Sequence, residues 1–479
     1  MMFRPLPFNP PSGARLIESY RVEYEVEGQR ISYVVCLMEG EGRGFYYVRE
    51  PPVEGSSLEE LRRLVERAHL LPQRRQLLER PLSTLLSLLR QRGLDHEQGL
   101  AYYIARDVVG YGPLEPFLRD QEVEDLSCEG YRRPLRVWHR RFNAHEWLTA
   151  NLAFERGEEL DALVAKMAFR AGRPLSAFLP LLDASLPEGY RISATWGRDI
   201  SPAGSSFTIR KFRERPYTLT ELISLGTLDQ ALAAYLWALI SLKAFLIIAG
   251  PTASGKTTLL NALATALHPN WKVVTIEDTR ELLLPHEGWK SLTTRPSPFD
   301  KAAVDLEKLV YQALRERPDY IILGETRGRE ASMLFQSAAL GHGVMTTFHA
   351  STPEGLLARM ASPPLSVDRE LLRQIDAVAF IARLREGEKV VRRVVGLGGF
   401  VGGEWQELYR WTGRHWEAQP AASAKLEEAA RRGALSPQEA ERMAERRASF
   451  LDALLAAKRY GYSSISRELR WFYLREAGG

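Results

Sequence analysis

Residues 245–258 read FLIIAGPTASGKTT, a short apolar run that passes without a break into the pattern G-x-x-x-x-G-K-[ST]. Gly250, Pro251, Thr252, Ala253, Ser254, Gly255, Lys256 and Thr257 fill that pattern position by position, and Leu259, Leu260, Leu263 and Leu267 then recur at helical spacing. A strand, a glycine-rich turn and a helix form the setting in which this pattern cradles phosphates. The glycines let backbone N–H groups turn inward, and the helix N-terminus adds partial positive charge. Lys256 is placed to neutralise the β and γ phosphates and the Thr257 hydroxyl to hold magnesium, with Thr258 in the same nucleotide-contacting run. The stretch predicts an α/β fold: a mainly parallel sheet with helices on both faces.

A loop that grips phosphate does not by itself cleave it, so acids are needed downstream. Residues 273–278, VVTIED, form a β-branched strand ending in Glu277 and Asp278, which at the C-terminal edge of a parallel sheet face the phosphate crevice. Residues 320–325, YIILGE, form a second apolar strand ending in an acid, with Gly324 where a magnesium-organising aspartate is more usual. Glu277 or Asp278 supplies the missing function from the neighbouring strand. In residues 341–350, GHGVMTTFHA, a strand is expected over 346–349 with His349 at its end. From there it senses the γ phosphate or fixes the acids by hydrogen bonding. A zinc pair of His342 and His349 lacks a third ligand, and His342 reads as a loop histidine.

Around this centre the chain has 479 residues, enough for two or three domains. Hydrophobic residues make up 45% and charged residues 26%, an ordinary globular composition that excludes wholesale disorder. Lys plus Arg number 64 and Asp plus Glu 60, a formal net charge of +4, which argues against a protein that coats nucleic acid. Cys36 and Cys128 are the two cysteines; they cannot build a disulfide scaffold or a four-thiolate zinc site and read as buried small hydrophobes of a reducing compartment. The start, MMFRPLPFNPPSGARL, lacks the apolar run of a signal peptide. One stretch, residues 232–250, has the length to cross a bilayer. Lys243 interrupts it, and its second half is the strand before the glycine loop, so a buried helix followed by a buried strand is expected, in a cytoplasmic protein.

Outward from the loop, the pattern divides the chain into regions. Residues 1–112 predict a small sheet plus a helical hairpin: RVEYEVEG and ISYVVCLMEG alternate, then Leu58, Leu61, Leu64 and Val65, and Leu82, Leu85, Leu86 and Leu89, recur at helical spacing, with a third helix over 97–109. Residues 113–212 predict an α+β domain with strands at 125–128, 136–140, 191–196 and 206–210 and a helix at 158–169. Residues 213–220, RERPYTLT, have the composition of a linker or hinge. Residues 221–416 hold the α/β core, ending in short strands with glycine-rich turns over 390–416. Residues 417–479 are helical; Ser436-Pro437-Gln438-Glu439 opens a helix with an N-cap, a first-turn proline and a capping glutamate. Met443, Phe450, Leu451 and Leu454 are its expected buried stripe.

Taken together, GPTASGKTT, TIEDTREL, ILGETRGREA and GHGVMTTFHAS resemble the four boxes of the type II and type IV secretion ATPase superfamily, called Walker A, Asp box, Walker B and His box. A glycine before the Walker B glutamate is a habit of that family, so Gly324 fits it. The resemblance is closest to the archaeal branch of archaellum motor and pilus-assembly ATPases, on GSSFTIRKF (204–212), LLDASLPEGYR (181–191), LRERPDYIILGE (314–325) and LPHEGW (284–289). It covers residues 97–385 well and the last sixty or so weakly.

The resemblance implies a RecA-like core, ATP and Mg2+ as cofactors, and a hexameric ring with the nucleotide between the N-terminal and RecA-like domains. It implies turnover that drives domain motion, pushing or rotating pilin-type subunits through a polytopic inner-membrane platform protein at the cytoplasmic face. The implied partners are further copies of the chain, the platform protein and, indirectly, prepilin-like subunits; no nucleic acid is expected. Residue by residue, it implies Glu277 as activator of the attacking water and Glu325, with Thr257 and Asp278, as organiser of magnesium. His349 matches the His-box histidine. Arg191 and Arg210 match arginines that reach phosphate, where a guanidinium suits developing phosphoryl charge, and Arg327 is a network partner. Bacterial type II members often carry a four-cysteine module after the His box; no cysteine follows Cys128, so zinc is not expected. The rival from another class is a RecA-like nucleic-acid translocase or helicase, which needs a basic groove with aromatic stacking platforms. A nucleotide-binding regulator without turnover would not need the full set of acids.

Overall fold

The computed structural model describes residues 3–94, 98–142, 145–212, 215–295, 303–387 and 389–478. It divides into two units, Met1–Arg213 and Glu214–Gly479, each built on a nine-stranded sheet.

The first unit contains β1 (Arg15–Val26), β2 (Gln29–Gly40), β3 (Arg43–Arg49), β4 (Val123–Cys128), β5 (Pro134–His139), β6 (Trp147–Ala153), β7 (Leu181–Ser185), β8 (Arg191–Thr195) and β9 (Ser206–Arg210), in the order β1-β2-β3-β6-β5-β4-β9-β8-β7. Neighbours are antiparallel except β3 and β6, where Phe45 lies beside Thr149 and Tyr46 beside Ala150. That pairing joins two segments which the sequence separates at residue 112. Alternation marks each hairpin locally, whereas a pairing between distant segments leaves no local trace.

Helices Gly55–Glu66, Pro81–Arg90 and Gly157–Arg170 bury Leu61, Leu89 and Val164 in one core with Val137 and Ile209. The third predicted helix is Gln98–Ile104, continued by a π-helical turn over Ala105–Val109; its expected first residue, Glu97, lies outside the described residues. Along β7, β8 and β9 burial alternates, so Leu182, Ile192 and Ile209 face the core while Asp183, Arg191 and Arg210 lie on the opposite face. Cys36 and Cys128 are buried free thiols.

The second unit contains β10 (Phe245–Ala249), β11 (Val273–Glu277), β12 (Trp289–Thr293), β13 (Tyr320–Leu323), β14 (Gly343–Phe348), β15 (Ala377–Glu386), β16 (Lys389–Val401), β17 (Glu404–Trp411) and β18 (Trp416–Ala418), in the order β12-β11-β13-β14-β10-β15-β16-β17-β18. From β12 to β15 every pairing is parallel, and from β15 to β18 antiparallel. β10, β11, β13 and β14 are buried at every position, the mark of parallel strands covered on both faces. Helices Gln230–Ser241 and Lys256–Ala264 pack in one cluster and Leu306–Leu314, Glu330–Ala339 and Pro353–Ala361 in another. Residues 232–250 form the buried helix and strand expected of them. Among the described residues no helix is long and apolar enough to cross a membrane.

Three features differ from the sequence expectation. The strands over 390–416 are not all short, because β16 runs for 13 residues and widens the sheet. The end of the RERPYTLT segment belongs to the second unit: Thr218 caps the helix Leu219–Ser224 in a capping box, and Thr218 and Thr220 donate hydroxyl hydrogens to Tyr460 O at 2.9 Å and Arg459 O at 3.0 Å. Arg213 and Glu214 of that segment lie outside the described residues. The C-terminal helices Pro420–Arg432, Pro437–Ala456 and Tyr462–Gly478 are part of the core, with Leu426, Leu451, Leu454 and Leu469 in one cluster with Leu236 and Leu263. The capping box of Ser436 and Glu439 forms as read, while Met443 and Phe450 are only partly buried. Asp376, just before β15, ties this layer to the sheet: one carboxylate oxygen accepts the Phe245 N–H at 2.9 Å, and the other pairs with Lys425 at 3.2 Å and with Arg432.

Candidate functional site

The glycine loop is held by close approach. A Cβ at Gly250 would strike the Ile381 carbonyl oxygen and lie 2.7 Å from Ser254 Oγ, and Gly255 has φ +98°, where only glycine is unstrained. Pro251, Thr252 and Ala253 are exposed, and Ser254 is buried with its hydroxyl oxygen lacking a protein partner. Lys256 opens the helix, only 7% exposed; its ammonium donates to Pro251 O at 2.9 Å and lies 3.3 Å from His349 Nδ1. Burial pushes its pKa down. Thr257 and Thr258 follow, half-buried, in the first helical turn.

The acids gather beside it because β11, β13 and β14 are neighbours that end at the same edge. Glu277 closes β11 and is 3% exposed. Its Oε1 accepts the N–H groups of Glu281 at 2.9 Å and Leu282 at 3.0 Å, while buried Oε2 has no partner. Burial raises its pKa to about 7. Gly324 gives Glu277 its room: a Cβ there would lie 3.1 Å from Glu277 Cγ, so a larger residue at the usual aspartate position would press on this carboxylate.

The other groups form a chain. Lysine has only donors to offer, so His349 Nδ1 accepts from Lys256 and Nε2 carries the hydrogen that points to Glu325 Oε1, 3.2 Å away. Burial and then the Lys256 charge push the His349 pKa down. Glu325 Oε2 accepts from Arg327 at 2.8 Å, and Arg327 lies 3.5 Å from Asp278 Oδ2. Asp278 is exposed and accepts from Thr294 at 3.2 Å.

Thr257, Glu325 and Asp278 offer oxygen alone, the donor chemistry of Mg2+. Among the described residues no group of three or more His, Cys, Asp or Glu gathers as a metal cage. Magnesium fits this arrangement, being held by one or two carboxylates together with phosphate oxygens.

Arg191 and Arg210 belong to the first unit, directly opposite each other on β8 and β9. Arg191 donates to both oxygens of Asp183, at 3.3 and 3.0 Å, and Arg210 Nε to Asp125 at 3.0 Å. His342 is a loop residue, with Nδ1 3.2 Å from Ser337 O. Two residues at the loop escape sequence reasoning. Arg359 donates to the His349 carbonyl, and Arg392 of β16 donates to Ala253 O at 3.2 Å. In a chain this rich in arginine, only the tertiary contact distinguishes them, Arg359 from a helix and Arg392 from a strand.

A glycine loop, a buried lysine and strand-end carboxylates on a parallel sheet define a P-loop nucleotide-binding protein with a RecA-like core. The sequence profile of the type II/IV secretion system protein family matches residues 141–399, more than half of the chain. The chain belongs to this family. It is 35% identical over 385 residues to an uncharacterized protein of Methanocaldococcus jannaschii, covering 78% of this chain and 69% of that one. Across three relatives from that organism it spans between 45% and 69% of their length. It is 31% identical over 318 residues to the type IV secretion system protein PtlH of Bordetella pertussis, 59% of this chain and 92% of that one. The crystal structure of the VirB11 ATPase from the Brucella suis type IV secretion system matches at 26% identity and a TM-score of 0.30, over 60% of this chain and 91% of that one.

Proposed function

We propose that this chain is an ATP-hydrolysing motor which works as a hexameric ring and powers a type IV pilus-like or type II/IV secretion machine, of the archaellum or archaeal pilus kind. The observation that carries this reading is the juxtaposition of buried Lys256 with the row of Glu277, Glu325 and His349 at the ends of β11, β13 and β14. Family membership supports a type II/IV secretion machine, and the choice of the archaellum or archaeal pilus kind follows the resemblance of the sequence motifs.

In this reading the loop amides and Lys256 bind the β and γ phosphates. Glu277, with one oxygen fixed by two backbone N–H groups and the other unpartnered, takes the proton of the attacking water. His349, between Lys256 and Glu325, orients that carboxylate and couples it to the phosphate-binding lysine. When bound, Mg2+, held by Thr257, Glu325 and Asp278, offsets phosphate charge. Arg191 and Arg210 neutralise charge on the phosphoryl group, exchanging Asp183 and Asp125 for it. Turnover drives domain motion on a polytopic membrane platform protein, with prepilin-like subunits moved indirectly, at the cytoplasmic face.

The test is phosphate release by the parent chain, Lys256→Ala and Glu277→Gln, with and without anionic lipid or single-stranded DNA. Glu277→Gln is expected to bind nucleotide and lose hydrolysis; hydrolysis at the parent rate would remove the base assignment. Stimulation by DNA with no effect of lipid would favour the translocase reading.

A further inference from the structure

The strand order fixes the direction in which a nucleotide runs through the loop. Glu277, Glu325 and His349, which act at the terminal phosphate, stand at the ends of β11, β13 and β14, all on one side of β10; the other side belongs to β15 and β16. A nucleotide whose γ phosphate faces the acids therefore leaves the loop over β15 and β16 with its α-phosphate and nucleoside.

β15 extends past the loop on that side. Phe380 is level with Ala249, the last residue of β10, and Arg383 lies beyond it, directly opposite Arg392 of β16. Ile381 and Arg383 share one face of β15. On that face Ile381 Cδ1 and Arg392 Cδ lie 3.5 and 3.1 Å from where a Cβ of Gly255 would be. Arg392 rests against the loop and uses Nε on Ala253 O, which leaves its two terminal nitrogens for another acceptor. Arg383 is exposed and forms no ion pair with any described residue. The acid nearest along the hairpin, Glu386, is engaged by Arg393. Like charges directly opposite each other on adjacent strands repel, so two cations in register, at the mouth of a phosphate loop and without a paired carboxylate among the described residues, form a place for an anion.

We propose that Arg383 and Arg392 are the seat of the α-phosphate of the bound nucleotide. The site rests on the nucleotide reading above and deepens it. It divides the work across β10: the acid side answers to the γ phosphate, and the arginine side holds the part that ATP and ADP share. Arg392 also fixes the loop through Ala253, while Arg383 has no ion pair with any described residue.

The test is titration of the full chain with Mg2+·ADP and with inorganic tripolyphosphate, by calorimetry, for the parent, Arg383→Gln, Arg392→Gln and Arg383→Lys. Each glutamine variant is expected to weaken both ligands about tenfold, the scale of one hydrogen bond to a charged group, and Arg383→Lys to recover part of the loss. Because Arg383 has no ion pair with any described residue, its loss leaves the fold intact and the result readable even if Arg392→Gln disturbs the loop. ADP binding by Arg383→Gln equal to the parent would overturn the proposal. So would a loss confined to ADP with tripolyphosphate unchanged, which would move the contact to the nucleoside. A parent chain that binds neither ligand would sink the nucleotide reading itself, and this site with it.

Discussion

The two sheets have the same number of strands and use burial in opposite ways. In the second, β10, β11, β13 and β14 are closed to solvent along their whole length, and ionisable side chains gather at the strand ends, where the glycine loop is. In the first, charge lies inside the core. Arg106 is fully buried against Glu50 at 2.6 Å and Asp107 at 2.7 Å. Asp120 accepts the hydroxyls of Tyr20 and Tyr46, each at 2.6 Å, and His139 adds Nε2 at 3.0 Å from Tyr20 while Nδ1 accepts the Phe142 N–H at 2.9 Å. The central strands of the second unit are specified by volume, and its buried ion pairs, Asp376 with Lys425 and Arg447 with Glu476, belong to the helical layer beside them. The first unit is specified by polar partners and uses its charges as architecture, so different substitutions break each.

The largest expected effect separates chemistry from stability. Lys256→Ala should lower phosphate release by more than about a hundredfold, with hydrogen exchange in both sheets like the parent's; loss of protection in β10–β14 would show that the loop lysine also holds the sheet. Next, Arg106→Ala leaves two buried carboxylates without their cation and should cost about 3–5 kcal/mol. Exchange measured by mass spectrometry should rise in β3 and residues 98–109 and not in β10 or β14, and an equal rise in both units would erase the contrast. Gly324→Asp tests the volume rule where it meets the acids: crowding Glu277 should cost about 1–3 kcal/mol and slow turnover, with Gly324→Ala milder in both. The smallest effect is the share of the pH dependence that His139 contributes in the first unit. Burial holds the His139 pKa below its ordinary value, so the folded unit keeps the ring neutral while the unfolded chain takes up a proton near pH 6.5. The His139 contribution to stability is then full above that pH and falls as pH drops through it. His139→Gln should therefore flatten the slope of thermal melts between pH 7.5 and 5.5 without abolishing it, because buried His286 of the second unit has the same sign.

The same contrast explains what the sequence reveals. Strands covered on both faces read as largely apolar runs, so β10, β11, β13 and β14 are visible as text together with the glycine loop, Glu277, Glu325 and His349 at their ends, as is the box at Ser436. In the first unit alternation reveals β1, β2, β4, β5, β8 and β9, but neither β6 nor β7, nor the β3–β6 pairing that makes it one sheet. Nor does any local pattern distinguish buried Arg106 from the many exposed arginines, since its partners Glu50 and Asp107 come from a strand and a π-helical turn. Arg383 and Arg392 are hidden for a related reason: their meaning is positional, set by β16 pairing beside a loop far away in the chain.

Asp376 has a consequence for any shortened version of the chain. Both cations that neutralise it, Lys425 and Arg432, lie on the helix Pro420–Arg432, while its remaining oxygen holds the N–H that begins β10. Cutting the protein after β18 would strand a negative charge in the interior at the foot of the very strand that delivers the phosphate loop. A minimal ATPase fragment trimmed to its motifs should therefore be handicapped at its base, and Asp376→Asn is the change that should make such a truncation tolerable.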